Sequence, residues 1–306
     1  MPKSSPTKRV RPPRPDAVLI DTYSLVFRAF HALPPMNTAA GAPTSALYGF
    51  CSLLLKVLRE EKPRAVAFAV DAPVRTFRRE RFEEYKAGRA RAPSDLVLQL
   101  QRLPELYAAF GFPAFCVPGF EADDVLATLA TRLHAEEKSV LIVSGDRDML
   151  QLVNERARVW FAGARGKAAT VFDPAAIQER FGLPADKLPS YAALVGDASD
   201  NLEGAPGIGP KTAAKLILEF GSVAELVRRI DSVEPEKVRE SLRASAERLL
   251  LNEELTQLRA DVPLEPGPLA LPLSAESRER LRELFEQLEF KSLIPRLEVI
   301  GRELEA

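Results

Sequence analysis

The chain has 306 residues, 46% of them hydrophobic and 28% charged, with a formal net charge of −1. That apolar content excludes disorder over most of the length and supports one large compact unit with a subdomain. Two cysteines, Cys51 and Cys116, exclude a disulfide framework and a thiolate zinc site. No stretch reaches the roughly 20 apolar residues that span a bilayer, and no signal-peptide core is present, so a soluble protein of a reducing cytoplasm is expected.

Residues 1–15 carry Lys3, Lys8, Arg9, Arg11 and Arg14, no acid and several prolines, which predicts a disordered basic tail with a solubilising role. The apolar run Ala17-Val-Leu-Ile then closes on Asp21. A helix is predicted from about Thr44 to Glu60, with Leu47, Phe50, Leu54 and Leu58 on one face and Pro63 beyond its end. A second strand, Ala65 to Val70, closes on Asp71. Between Val74 and Pro93, Arg75, Arg78, Arg79, Arg81, Lys86, Arg89 and Arg91 outnumber Glu80, Glu83 and Glu84, with Phe77, Phe82 and Tyr85 interleaved. Cations with stacking aromatics suit single-stranded nucleic acid. A solvated helix with its own salt bridges fits the composition equally well, but the position directly after Asp71 favours the nucleic acid.

A third apolar run, 114–117, leads to Glu121, Asp123 and Asp124, and a helix follows with Val125, Leu129 and Leu133 at fourfold spacing. Acids at a helix start are ordinary capping when taken alone. A fourth run, Val140 to Ser144, leads to Asp146 and Asp148. Strands alternating with helices predict an α/β fold with a mostly parallel central sheet. Beyond Pro174 the pattern turns helical, so the catalytic domain is expected over 16–174 and a helical subdomain over 175–306.

Within that subdomain, Asp197 and Asp200 follow a helical stretch. Gly204-Ala-Pro-Gly207-Ile-Gly209-Pro210-Lys211-Thr-Ala-Ala-Lys215 then reads as a glycine-rich hairpin feeding a helix that ends before Gly221. Ser222 and Glu225 form a capping box for the next helix. Glycines let a backbone approach phosphate closely, and the free N–H groups of a helix N-terminus bind it. A tight interhelical turn would explain one or two of these glycines, less easily all of them beside Lys211 and Lys215.

Acids at four strand ends converge, because the crevice of an open α/β sheet lies beyond the carboxyl ends of its strands. Crowded carboxylates raise one another's pKa and oppose the compact state unless a cation neutralises them. A hard divalent ion with an all-oxygen shell does so, which points to metal-assisted phosphodiester hydrolysis.

These residues resemble the bacterial 5′ nucleases, a family that includes the 5′ to 3′ exonuclease domain of DNA polymerase I, stand-alone exonucleases and phage relatives, and is akin to flap endonucleases. The resemblance rests on Ile20-Asp21 with Arg28-Ala-Phe-His31, Val70-Asp71 with Thr76-Phe-Arg78, Tyr85-Lys86 with Arg89, and Gly119-Phe-Glu121-Ala-Asp-Asp124. It continues through Ser144-Gly-Asp146-Arg-Asp148, Gly196-Asp197-Ala-Ser-Asp200-Asn201 and the hairpin, covering about Ala17 to Pro295.

The resemblance implies a PIN-like 5′ nuclease core, a helical arch at about 74–93 and a helix-hairpin-helix element at about 190–221. It places Asp21, Asp71, Glu121 and Asp123 at a first metal site with Asp124 nearby, and Asp146, Asp148, Asp197 and Asp200 at a second. Two divalent ions, Mg²⁺ or Mn²⁺, would serve in-line hydrolysis. Lys86, assisted by Arg89, would stabilise charge on the phosphate; Arg28 and Arg78 would grip phosphates. Tyr85 would stack on a base or pack within the arch. Gly207, Gly209, Lys211 and Lys215 would hold duplex, with a monovalent cation such as K⁺ at the hairpin.

The substrates implied are DNA with a 5′ flap, overhang or nick, and RNA–DNA primer junctions. A DNA polymerase in cis or in trans is the implied partner of a monomer. Thr22 and Val70 depart from the Gly and Phe common in the family, while no expected ligand is missing. A non-cutting clamp for branched DNA is the alternative, disfavoured by that full set of acids. A toxin-like ribonuclease would be shorter and lack the hairpin, and a small-molecule phosphatase explains neither arch nor hairpin.

Overall fold

The computed structural model describes residues 13–163, 169–265, 267, 269 and 273–305. The expected basic tail lies outside the described residues except for Pro13 to Pro15, where Arg14 donates to the Pro63 carbonyl at 3.1 Å.

The chain begins with β1 (Ala17–Asp21), α1 (Thr22–Ala32), α2 (Ser45–Glu61) and β2 (Ala65–Ala69). After β2 come α3 (Phe77–Arg81), α4 (Ser94–Leu100), α5 (Leu103–Phe110), β3 (Ala114–Phe115), α6 (Ala122–Ala135) and β4 (Val140–Ser144). Two further strands, β5 (Ala157–Phe161) and β6 (Thr170–Phe172), precede α7 (Pro174–Phe181) and α8 (Leu188–Val195). The small strands β7 (Gly196–Asp197) and β8 (Leu202–Glu203) lead to α9 (Pro210–Phe220), α10 (Val223–Arg228), α11 (Glu236–Thr256), α12 (Ala275–Gln287) and α13 (Ile294–Glu305).

Six strands form one sheet in the order β3-β2-β1-β4-β5-β6, parallel except for the antiparallel β5–β6 pair. The inner strands are apolar throughout because both faces are covered. Alternation still sorts their side chains: Val18, Ile20, Val66, Phe68, Leu141 and Val143 enter one core, which Leu25, Phe50, Phe110, Phe285 and Leu297 complete from α1, α2, α5, α12 and α13. Ala17, Leu19, Ala67, Val140 and Ile142 enter the opposite core with Val125 and Leu129 of α6 and Ile177 of α7. A third cluster, including Ala193, Ala213, Leu226 and Leu242, belongs to α8–α11.

The direction of travel across the sheet reverses at β1, with β2 on one side and β4 on the other. A reversal of this kind leaves a crevice beyond the carboxyl ends of the two strands. Asp21 ends β1, and Ser144 ends β4.

Some elements differ from expectation. The third strand covers only 114–115 of 114–117, since it is an edge strand paired with β2 alone. Strands β5 and β6 carry no clear signal, one interrupted by Arg158 and the other three residues long. The segment 74–93 is not one helix: after the five-residue α3, Phe82 is extended, Lys86 adopts a left-handed φ of 58°, and α4 begins only after Pro93. Among the described residues, no helix is long and apolar enough to cross a membrane.

Candidate active site

The ends of β1 and β4 are stitched together. Asp21 caps α1 by accepting from the Ser24 N–H at 3.3 Å, and the Ser144 hydroxyl donates to its other oxygen at 2.5 Å. That same hydroxyl accepts from the Asp146 N–H at 2.8 Å, while the Ser24 hydroxyl accepts from the Gly145 N–H at 2.7 Å. Arg28 closes the loop by donating to the Gly145 carbonyl at 2.5 Å, its guanidinium 5.2 Å from the Phe161 ring. A Cβ at Gly145 would lie 2.4 Å from Arg28 Nε, so a larger residue there would have to displace the arginine.

Asp71 lies just beyond β2 and accepts from the Ala122 N–H at 2.8 Å, at the first turn of α6. There the helix dipole favours a carboxylate. Asp123 comes from the same turn. With Tyr23, Ser24, Phe27, Lys86 and Arg89, the acids Asp21, Asp71, Asp123 and Asp146 line a cavity of about 350 Å³. A neighbouring cavity of about 490 Å³ shares Asp71, Lys86 and Arg89 and adds Arg75, Arg79, Tyr85 and Glu121.

Arch and crevice are fastened to each other. Lys86 Nζ lies 3.0 Å from Glu121 Oε2, and Arg89 donates to Asp200 at 2.7 Å. The hydroxyl of Tyr85 donates to Asp200 at 2.9 Å, and the Lys86 N–H to the Asp200 carbonyl at 3.0 Å. Asn201, at φ 61°, donates to the Glu84 carbonyl. The turn between β7 and β8 is thus a bracket for the arch base.

The electrostatics follow from this crowding. Burial pushes Asp21 up to about 7, and the charges of Asp146 and Asp71 add to the rise against the Ser144 hydrogen bond. Asp123 is raised well above the carboxylate range by burial and then by Asp146 and Asp21; Asp148 likewise by burial, Asp146 and Asp200. Asp71 is raised by burial. Asp200 differs: despite its burial, Lys86 and Arg89 hold it below the usual range. Burial alone would lower the Lys86 pKa, but Glu121 and Asp200 raise it, so its ammonium stays charged.

A donor set of carboxylates without histidine or thiolate fits a hard divalent cation. No three of the described His, Cys, Asp and Glu residues already close on one point.

Four of the expected site residues are engaged in internal contacts. Asp124 is wholly buried and faces away from the crevice: Arg78 holds its two oxygens at 2.7 and 2.8 Å, and the N–H groups of Glu121 and Arg259 donate to them. It is an anchor of the arch base and has no oxygen left for a metal. Arg78 is 1% exposed and also donates to the carbonyls of Leu255 and Gln257 at the end of α11, so it cannot grip DNA. Tyr85 is 3% exposed and packs with Leu202 and Leu255. Arg28 is engaged with Gly145 and holds the loop that carries Asp146.

Asp148 lies within the electrostatic reach of Asp146, Asp197 and Asp200, and Asp197 accepts from the Ser199 N–H and hydroxyl, both at 2.7 Å. Thr22 is fully buried, its side chain interacting with Tyr107, and does not line the crevice. At the hairpin, Gly207 has φ 77°, a conformation that favours glycine, and Gly209 is the N-cap of α9 without a side-chain cap. The free N–H groups there and the exposed Lys211 and Lys215 form a cationic corner. Ser24, Ser144 and Gly145 escape sequence reasoning because serines and glycines at strand ends are too common to single out.

A parallel sheet with an acidic crevice at its reversal point, bordered by a cationic arch base, defines a nuclease. The chain belongs to the 5′-3′ exonuclease family: the model of its N-terminal resolvase-like domain matches residues 16–182, and that of its C-terminal SAM fold matches 183–279. DNA polymerase I of Mycobacterium tuberculosis is 44% identical over 286 residues, 93% of this chain and 32% of that protein. The thermostable DNA polymerase I of Thermus thermophilus is 43% identical over 283 residues, 92% of this chain and 33% of that protein. The chain thus spans about a third of these relatives. In fold it is similar to the bacteriophage T5 flap endonuclease in a complex with DNA and metal ions, with a TM-score of 0.65 at 21% identity, covering 95% of this chain and 99% of that one.

Proposed function

We propose that the chain is a structure-selective 5′ nuclease that hydrolyses DNA phosphodiesters with two divalent cations, as a 5′ to 3′ exonuclease and at 5′ flaps. The observation that carries this reading is one cavity lined by Asp21, Asp71, Asp123 and Asp146 together with Lys86 and Arg89. Acids that must hold metal and cations that must meet phosphate stand on the same few ångströms of surface.

Asp21, Asp71, Glu121 and Asp123 would hold one ion, and Asp146, Asp148, Asp197 and Asp200 the other. When bound, the two cations supply a water activated for in-line attack and neutralise charge on the phosphate. Lys86, kept protonated by Glu121 and Asp200, would donate to the phosphate as charge builds, with Arg89 beside it. Arg28, Ser24 and Ser144 would act through the loop they fix, holding Asp146 in place. Lys211, Lys215 and the N-terminus of α9 would hold the duplex backbone, with K⁺ as the monovalent ion at the hairpin.

The reading extends to Mg²⁺ as the working ion with Mn²⁺ as a substitute, and to flaps, overhangs, nicks and RNA–DNA primer junctions as substrates in replication and repair. A DNA polymerase in cis or in trans is the proposed partner, the bacterial cytoplasm the setting, and a monomer the active form. Asp146→Ala tests the chemistry: flap cutting is expected to vanish while flap binding stays within about threefold. Equal loss of both would mean that the acids position DNA without hydrolysing it.

A further inference from the structure

Arg147 stands between two of the crevice acids, Asp146 and Asp148, yet its exposed guanidinium makes no hydrogen bond or ion pair among the described residues. The chemistry above does not use it. Its charge opposes that of Arg28, which holds the same loop, and acts together with Arg180 on the phenol of Tyr191 in α8. Cations that face one another without an acid between them are unfavourable until an anion completes the set.

A row of rings runs across this face and carries two of the cations. Arg28 lies 5.2 Å from the Phe161 ring, Phe161 meets Phe172 edge to face at 6.1 Å, and Arg180 lies 5.5 Å from Phe172 and 5.4 Å from Phe181. Phe181 in turn meets Tyr191 edge to face at 5.8 Å. Arg180 is exposed and makes no ion pair among the described residues, so the rings hold its guanidinium while its charge stays open to an outside acceptor. The short 3₁₀ turn Asp148–Leu152 that follows Arg147 packs on α8, and α8 ends at the hairpin, where the Ala205 N–H donates to the Leu194 carbonyl at 3.0 Å. Arg147 and Arg180 thus converge on the helix that joins the acid crevice to the corner of Lys211 and Lys215.

We propose that Arg147 and Arg180 form a second phosphate-binding surface for the duplex, between the cut and the hairpin's own contact, so that two anchors fix how the duplex is held relative to the crevice. The proposal rests on the nuclease reading for its ligand and concerns residues outside both the acids and the hairpin. Guanidinium groups suit phosphate because their planar N–H forks match its oxygens.

The experiment measures binding of 5′-flap DNA in Ca²⁺, without turnover, with single neutral methylphosphonate linkages stepped through the duplex. With wild type, neutralising a linkage held by these arginines is expected to weaken binding about tenfold, at a position nearer the flap junction than the linkages that Lys211 senses. Arg147→Gln and Arg180→Gln should each lose sensitivity to that linkage and lower the slope of log K against log salt by about 0.9. Both variants should keep the response at the Lys211 linkages, which shows that they fold and bind in register. A single footprint that only Lys211→Ala erases would overturn the proposal, as would a wild-type salt slope in Arg147→Gln and Arg180→Gln. Loss of cutting by Arg147→Gln with an unchanged footprint would overturn it too, assigning Arg147 to the acid loop alone. Because binding is read without turnover, the two readings fail separately: flaps cut normally with one footprint sink only this proposal, whereas wild type that binds no flap DNA sinks both.

Discussion

Arg78 illustrates how one side chain can be misjudged when only its neighbours in sequence are visible. It lies among six other cations between residues 74 and 93, and composition treats all of them as surface. The fold buries this one against Asp124, Glu121 and the end of α11. Removing one partner of a buried pair costs about 3–5 kcal/mol, because the other charge is left unpaired. Arg78→Ala is therefore expected to lower unfolding stability by about that amount in urea titrations, and a loss under about 1 kcal/mol would contradict the assignment. The acids were more legible. Asp21, Asp71, Asp123 and Asp146 each follow a run whose length and apolarity mark a strand, and strand ends meet in space. Asp124 was not separable from Asp123, since adjacent residues on a helix point about 100° apart and only tertiary packing says which faces the crevice.

At the scale of elements, the hairpin before α9 was readable because its requirements are local. Gly207 needs a positive φ, Pro210 lacks the N–H that an N-terminus would leave free, and Lys211 and Lys215 lie one turn apart. Lys211→Ala should weaken duplex binding and reduce the slope of log K against log salt by about 0.9, as loss of one phosphate contact does. A slope unchanged within error would remove Lys211 from the interface. The arch was readable in charge but not in conformation. Its ties run to Ser199, Asp200 and Asn201, more than 100 residues away, and no local pattern records them. The same limit hid β6, a three-residue strand held by its pairing with β5.

For the whole molecule, the change from strands to helices near Pro174 was legible, whereas the return of α12 and α13 to the core beside α2 and α5 was not. Their apolar stripes say that they pack, not against what. The acid crevice also has a global consequence. Asp21 titrates near 7 in the folded protein against 3.8 when unfolded, so the folded state binds the extra proton between those values. Metal-free stability should then fall as pH rises from about 4 to 7, with Asp123 and Asp148 acting in the same direction. Divalent cations bind the ionised form, so Mg²⁺ should raise the melting temperature more at pH 8 than at pH 5, by at least ~2 °C in a thermal scan. A larger effect at pH 5 would contradict this account of the cluster.

The central claim is that these acids hydrolyse a 5′ strand at a junction. The most direct measurement maps the products from a 5′-labelled DNA flap and a matching blunt duplex, each incubated with Mg²⁺, Mn²⁺ or chelator. The account predicts a short labelled product cut near the flap junction, formed with either metal and absent with chelator. Tight flap binding with no cutting under any metal would contradict it and assign the chain to the class of branched-DNA clamps.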